Sequence, residues 1–586
     1  MLSAVGGLTV VAGGAFAATN TSAAGGTVVM TAGAGAFVSG GTVSAGGSLS
    51  LDAGGGAITL QTTGLSAGGA SAGATGAAVS ATSTTMAGAS LSITAGGDMA
   101  FIDSTLGTSG NLLLLAGETV TAGGTAFSAG AFALSAASGA SLAGGGVTAA
   151  AGLSLDAGGG DATLSTTSLN AGGDIGVAAR GAILAASTSF AGRNVTLSAG
   201  AGLTARNIGV TAGGALAFDA GAGDAVFNPS TIQSGGALSV TSRVAITATA
   251  STFSASAASL IAGAGITLPG GGMGVAGGLL LDAGGGGVTL GGATLTAGGA
   301  MTLRGAGAMS FTGATLSAGG PMTATSGSAI AMSGVTLSAA GLAVEAQSGL
   351  TIANGALVSS GPVGLTLAGG PSGALTLTDT RLDGAAIRLV AGAGASLTRV
   401  DAATGGALTL TAGGSLAMSG GTLAGAGIAL TAAGGGFAVT GTGFAASTTL
   451  AVLGAGASSL SAVDANAETA SFQTSGALQL GPFTGTVGSL LVFSAPGGIG
   501  SGGAVTLAAR APGQRLPALV MDTRANALTS PDAFLVRPDL PGVAPTAQPT
   551  QMRAAPRSQA PGAFGQPLSA GAGAIDFTVG APDSAV

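Results

Sequence analysis

The 586-residue chain has no cysteine, histidine, tryptophan or tyrosine, and all 14 of its basic residues are arginine, so lysine is missing as well. Each gap removes a class of chemistry. Without cysteine there are no disulfides and no thiolate metal sites. Without histidine a serine nucleophile lacks its usual base, and without lysine a Walker-type loop lacks its cation. Charge is scarce too, at 6% of residues against a usual share of about 25%. The net charge of −7 divides into −8 over residues 1–505 and +1 over 506–586, so neither part is a surface for nucleic acid. Long apolar runs are also absent. Mean hydropathy is +0.67, yet Gly, Ser and Thr interrupt every window, and no transmembrane helix is expected. Met1 to Ala18 imitates a signal peptide with Ala15-Phe16-Ala17, but it has no basic n-region and is in phase with the repeat described next. We read it as a repeat coil, which makes it an internal start or a fragment.

What the chain has is glycine, 116 residues of it, beside an ordinary apolar fraction of 47%. Its length suggests about four globular domains unless an internal period intervenes. One does. Leu-Asp-Ala-Gly-Gly-Gly begins at Leu51, Leu155 and Leu281, with a variant at Phe218 to Gly223. Asp156, Asp219 and Asp282 are 63 residues apart, three times 21, and Thr294, Thr315 and Thr336 are 21 apart. The unit reads A-G-G-x-L-x-L-x-A-G-G-x-h-x-h-x-x-T-x-L-x, with h apolar: short alternating segments separated by glycine corners. Such a unit suits one coil of a β-solenoid. Alternation sends Leu49, Leu51, Leu60 and Leu65 inward and turns Ser50 and Thr59 to water.

The fold class is therefore all-β, a parallel β-helix of about 21-residue coils with a Pro-rich C-terminal tail. The boundaries are 1–440 for the repeat region, 441–505 for irregular terminal coils or a cap, and 506–586 for a Pro/Arg-containing tail, linker or partly disordered. Eleven of the 18 prolines lie at or beyond Pro512, and because proline cannot donate to a ladder the solenoid is expected to end there. Stacked at about 4.8 Å, some twenty coils would make a rod on the order of 100 Å long. Ala574 to Val579 is the one strand-like piece expected in the tail.

Several motifs imitate chemistry. Gly498-Ile499-Gly500-Ser501-Gly502-Gly503 fits GxGxxG, a pattern that chance supplies about five times at this glycine content. Gly69-Ala70-Ser71-Ala72-Gly73 fits GxSxG without a histidine to serve it. The neighbouring acids Asp98/Asp103, Asp156/Asp161, Asp219/Asp224 and Asp379/Asp383 could supply acid and base for glycoside cleavage. They fall at strand-to-glycine corners, however, where aspartate is a turn former, and we read them so. Gly-Gly-Asp at Asp98, Asp161 and Asp174 does not keep the nine-residue spacing of calcium-binding β-rolls. The Thr column from Thr294 could form an outward hydroxyl ladder for ice or glycan, although Thr is also a common strand residue. No catalytic, cofactor-binding or metal-ligating residue is assigned, and no cofactor is expected.

The repeats A-G-G-x-L-x-L-x-A-G-G with T-x-L-x-A-G-G, over residues 1–440, resemble those of the filamentous haemagglutinin family, large bacterial exoproteins exported by two-partner secretion. The resemblance implies a right-handed coil, an extracellular or outer-membrane-surface location, receptors on cells or abiotic surfaces, and an outer-membrane pore as export partner. The family's secretion module carries an Asn-Pro-Asn type motif; here the only Asn-Pro is Asn228-Pro229. The implied function is a structural or adhesive surface fibre without enzymatic activity. A glycan-active or glycan-binding β-helix, and a passive low-complexity or ice-binding-like polymer, are the alternatives.

Overall fold

A strand of four residues ended by glycine cannot bury its apolar side alone, so coils of this kind must stack. The computed structural model describes residues 1–370, 373–508, 517–522 and 577–580. Among them the regular elements are all β-strands, wound into about 24 turns of about 21 residues each with parallel pairing. The chain divides into two compact units, Met1–Gly298 and Gly299–Val586.

In the first unit a coil is built from three strands, for instance Leu153–Asp156, Ala162–Ser165 and Ser168–Ala171. Each pairs in parallel with its counterpart one coil on, so three ladders run along the stack. Like meets like inside: Leu155 lies opposite Val177, Leu164 opposite Ala185 and Leu169 opposite Phe190. Leu49, Leu51 and Leu60 are buried as alternation requires, while Leu65 is only half-buried and Ser50 and Thr59 lie on the outer side. Phe101, Phe127 and Phe132 meet ring to ring at centroid distances of 6.0 and 5.4 Å, which fills the interior between the three ladders. Residues 2–19 form strands of the first coil, paired with Ala23–Gly25, Thr27–Ala32 and Ala36–Ser39.

The hexamer is a turn whose three glycines have three different jobs. Its aspartate accepts a hydrogen bond from the first glycine: Gly54 N to Asp52, Gly158 N to Asp156, Gly221 N to Asp219 and Gly284 N to Asp282, all at 2.9–3.1 Å. That glycine is in the left-handed region, at φ of 51–56°. The second faces open space at Gly55, and the variant places Ala222 there. At the third, a Cβ on Gly56, Gly160, Gly223 or Gly286 would overlap the carbonyl of the preceding coil.

A feature that the sequence does not announce lies at the next corner. There one residue per coil adopts positive φ, including Thr62, Ser83, Asp103, Thr166 and Ser187 at 48–50°. The residue after it is a buried hydroxyl: Thr63, Thr84, Ser104, Thr167 and Thr188 are 1–4% exposed. Each donates to the carbonyl two residues back, as Thr84 does to Thr82 at 3.0 Å and Ser104 to Ile102 at 2.9 Å. The coils are also cross-linked there, because Thr84 N donates to Ser104 Oγ at 3.2 Å and Ser104 N to Thr125 Oγ1 at 3.4 Å. A polar spine thus runs up an otherwise apolar interior with its bonds satisfied.

The second unit repeats the plan, with Leu342 opposite Val363, Leu350 opposite Leu375 and Leu357 opposite Leu382. Past Leu416 the glycine corners fade because neighbouring strands merge, as in Leu416–Ala432, Gly443–Gly454 and Val463–Thr474. Register shifts take up the bends, between Gly425 and Gly427 and between Ala445 and Thr449. Pairing does not end at the prolines. Ala518–Asp522, free of proline, pairs with residues 490–494, and Phe577–Gly580 pairs with residues 505–508. The expected strand at 574–579 is thus seen from Phe577 on; the Pro-rich stretches around Pro538 to Pro549 and Pro556 to Pro567 lie outside the described residues.

One coil breaks the inward rule. Ala70–Thr75 places Ser71 between Leu49 and Leu91, and Gly73 between Leu51 and Ile93. A cavity of about 30 Å³ results, and Ser71 Oγ, 7% exposed, has no hydrogen-bond partner. Ser71→Ala and Ser71→Val should each stabilise the protein by about 1–2 kcal/mol, because the stranded hydroxyl is lost and, in valine, the void is filled. Urea unfolding followed by circular dichroism checks this, and an unchanged or lower midpoint would show that the hydroxyl finds a partner.

Candidate functional site

The acids that resembled catalytic pairs, Asp103 excepted, are engaged separately. Asp156 and Asp219 close their own turns, while Asp161 and Asp224 reach one coil on, accepting from Ala182 N at 2.7 Å and Ala245 N at 3.0 Å. Asp98 accepts from both Thr119 N, at 3.0 Å, and Thr119 Oγ1, at 2.6 Å. These bonds, the hydroxyl's foremost, hold the Asp98 carboxyl below its ordinary pKa. Asp103 is a corner residue at positive φ. Asp379 pairs with Arg399, whose guanidinium lowers the carboxyl's pKa, and Asp383 pairs with Arg381 at 2.6 Å. Except for the Asp383–Arg381 pair, which lies within the single strand Arg381–Gly384, these bonds are turn and inter-coil chemistry, as the corner positions led us to expect. The clamps span 21 residues in Asp98 to Thr119, Asp161 to Ala182, Asp224 to Ala245 and Asp401 to Thr422.

The other motifs resolve on geometry. Ser71 of GxSxG points into the solenoid interior rather than sitting on an exposed elbow. Ile499–Ser501 of GxGxxG is a strand paired with Leu478–Leu480, with no helix among the described residues to receive a phosphate. Asp174 of the calcium-like triplets holds Arg193 in a bidentate pair, and among the described residues no three His, Cys, Asp or Glu side chains converge. Among the described residues no helix is long and apolar enough to cross a membrane.

What does form an organised surface is the third ladder of the first unit. Thirteen strand segments, from Thr42–Ala45 to Thr294–Ala297, pair in unbroken succession, and none of these segments carries a charged residue, Arg206 lying in the part of Gly202–Ala212 that belongs to the neighbouring ladder. Their outward positions are Thr, Ser, Gly, Ala, Asn or Gln, with two outward residues per coil such as Thr42 and Ser44, Thr252 and Ser254, Thr294 and Thr296. At about 4.8 Å per strand this face extends on the order of 60 Å. The column anticipated from Thr294 is exposed at Thr294, and in the second unit Thr315 lies opposite Thr336, both exposed. The other two ladders hold the charges and outward apolar residues: Asp52, Asp156 and Leu115 on one, Ile102, Leu184 and Arg206 on the other. Residue-by-residue reading missed this segregation; sorting the 21-residue period by column reveals it. Compared with known proteins, the chain matches no family model, no curated protein and no solved structure.

Proposed function

We propose that the chain is a non-enzymatic segment of a bacterial surface or secreted fibre, attaching to cells or surfaces through many weak contacts. The observation that carries this reading is the uncharged, hydroxyl-rich ladder of the first unit, a face that repeats coil after coil. Mostly small, uncharged groups presented thirteen strands in a row suit avidity, which exceeds single-contact affinity by orders of magnitude. The engagement of the paired acids in turns supports it as well, since a carboxylate closing its own corner is poorly placed to act as acid or base. By the family resemblance, the segment works outside the cell after passage through an outer-membrane pore.

Displayed on a non-adherent bacterium behind a secretion module, the full chain should increase attachment to surfaces or other cells, with the gain shrinking as whole coils are removed. No gain at full length overturns the reading. So does cleavage of a polysaccharide by the purified chain that Asp156→Asn or Asp161→Asn abolishes.

A further inference from the structure

The neutral ladder is hollowed at one place. Four neighbouring strands present Thr148, Asn170, Ala191 and Thr211 in one outward row, each opposite the next. Thr148, Asn170 and Thr211 are exposed, while Ala191 is short and half-buried, so the row dips at its third member. With Gly172 and Gly192 at the strand ends, the dip becomes an open groove of about 480 Å³. Three strand steps make it about 14 Å long.

Its rim is polar but carries no net charge. Arg193, which lines the groove, is held by Asp174 through two bonds of 2.9 Å, and the Asn194 amide donates to the same carboxylate at 2.9 Å. Asn194 is fixed in turn by Ala215 N, which donates to its side-chain oxygen at 2.8 Å. The pair is self-neutralised, the Arg193 guanidinium keeping the Asp174 carboxyl below its usual pKa.

We propose that this groove binds a neutral, hydroxyl-rich oligosaccharide lying across the strands from Thr148 to Thr211. Neutral sugars present donors and acceptors side by side, and the groove answers with two hydroxyls, an amide that does both, and an Arg–Asp pair exposing both kinds of group. An anionic ligand would meet the Asp174 carboxylate together with an arginine already paired. An apolar ligand would strand the polar groups without partners. The proposal rests on the adhesive reading above and gives it a ligand class and a place.

The test uses the full chain on an array of neutral hexasaccharides of glucose, mannose and galactose with sulfated and sialylated counterparts, followed by titration calorimetry with the strongest neutral binder. A neutral glycan should bind with little dependence on salt. Asn170→Ala and Ala191→Gln, the second filling the hollow, should each weaken binding about tenfold, the scale of one or two lost hydrogen bonds. Both positions face outward, so the circular dichroism spectrum should not change. Binding only to sulfated or sialylated glycans, no binding at all, or binding indifferent to both substitutions overturns the proposal. If the full chain still promotes bacterial attachment in that event, the groove assignment fails alone; if attachment fails too, the adhesive reading goes with it.

Discussion

Leu155→Asp should cost about 4 kcal/mol or more, and Ser154→Asp almost nothing, though the two substitutions add the same carboxylate to adjacent residues. Leu155 is 1% exposed and lies between Leu134 and Val177 of the flanking coils. Nothing nearby in that apolar layer can pair with a carboxylate, so the group must stay uncharged or pull the coil open. Because each coil is stabilised chiefly by its two neighbours, the damage spreads along the stack. Amide hydrogen exchange should therefore show lost protection in Ala131–Ala136 and Ile175–Ala179 as well as in Leu153–Asp156. Ser154 is exposed, and an acid there remains solvated. Equal effects of the two changes would mean that the inward and outward assignment is wrong.

The second large contrast lies within one turn. Gly56→Ala should destabilise by about 1–3 kcal/mol, the usual cost of overpacking, because its Cβ would overlap the Ala34 carbonyl, a backbone group that cannot swing aside. Gly55→Ala should be neutral or stabilising by about 0.4–1 kcal/mol, since it has room and alanine restricts the unfolded chain. Gly54→Ala falls between, its Cβ meeting the Ala32 and Gly33 carbonyls at a tight 3.0 Å and its φ of 55° costing an alanine about 1 kcal/mol. The rank order of three melting temperatures is the readout. A Gly56→Ala protein as stable as Gly55→Ala would show that the coils are spaced more loosely at this corner. The variant hexamer supports the order, having alanine only at the tolerant position, Ala222.

Those hexamers also show what the sequence made legible. Asp52, Asp156, Asp219 and Asp282 announced a recurrent turn because turn chemistry is local: an aspartate, two residues on a glycine with positive φ, and the bond between them. The period of 21 and the inward leucines were legible for a similar reason, since burial imposes alternation within each short strand. Leu65, half-buried where full burial was expected, shows the limit: although it lies between Val43 and Met86 in its ladder, it also lines the void beside Ser71. The spine of Thr63, Thr84 and Ser104 was illegible because its hydroxyls are satisfied by carbonyls of their own and preceding coils, and nothing in a strand-like Ser or Thr announces such a partner. The coils beyond residue 440 were hard to follow because their corners are bulges inside long strands, such as Gly443–Gly454, instead of glycine pairs. Arg193 gave no signal at all; its partner Asp174 is 19 residues away, a distance that becomes adjacency only once the coil is wound.

The bonds from Asp98 to Thr119, Asp161 to Ala182 and Asp224 to Ala245 all join residues one full coil apart, and this has a genealogical consequence. A gene encoding such a chain can gain or lose material by unequal recombination between its own repeats. If the exchanged piece is one whole coil, every clamp finds a new partner, leucine again meets leucine, and the newcomer is as well seated as the coil it displaces. If the piece falls short by a few codons, clamps point at the wrong corner and inward residues surface. Selection on folding alone would therefore pass changes in repeat number and reject most others, so that close kin of this protein should differ from it by entire coils far more often than by fragments of one.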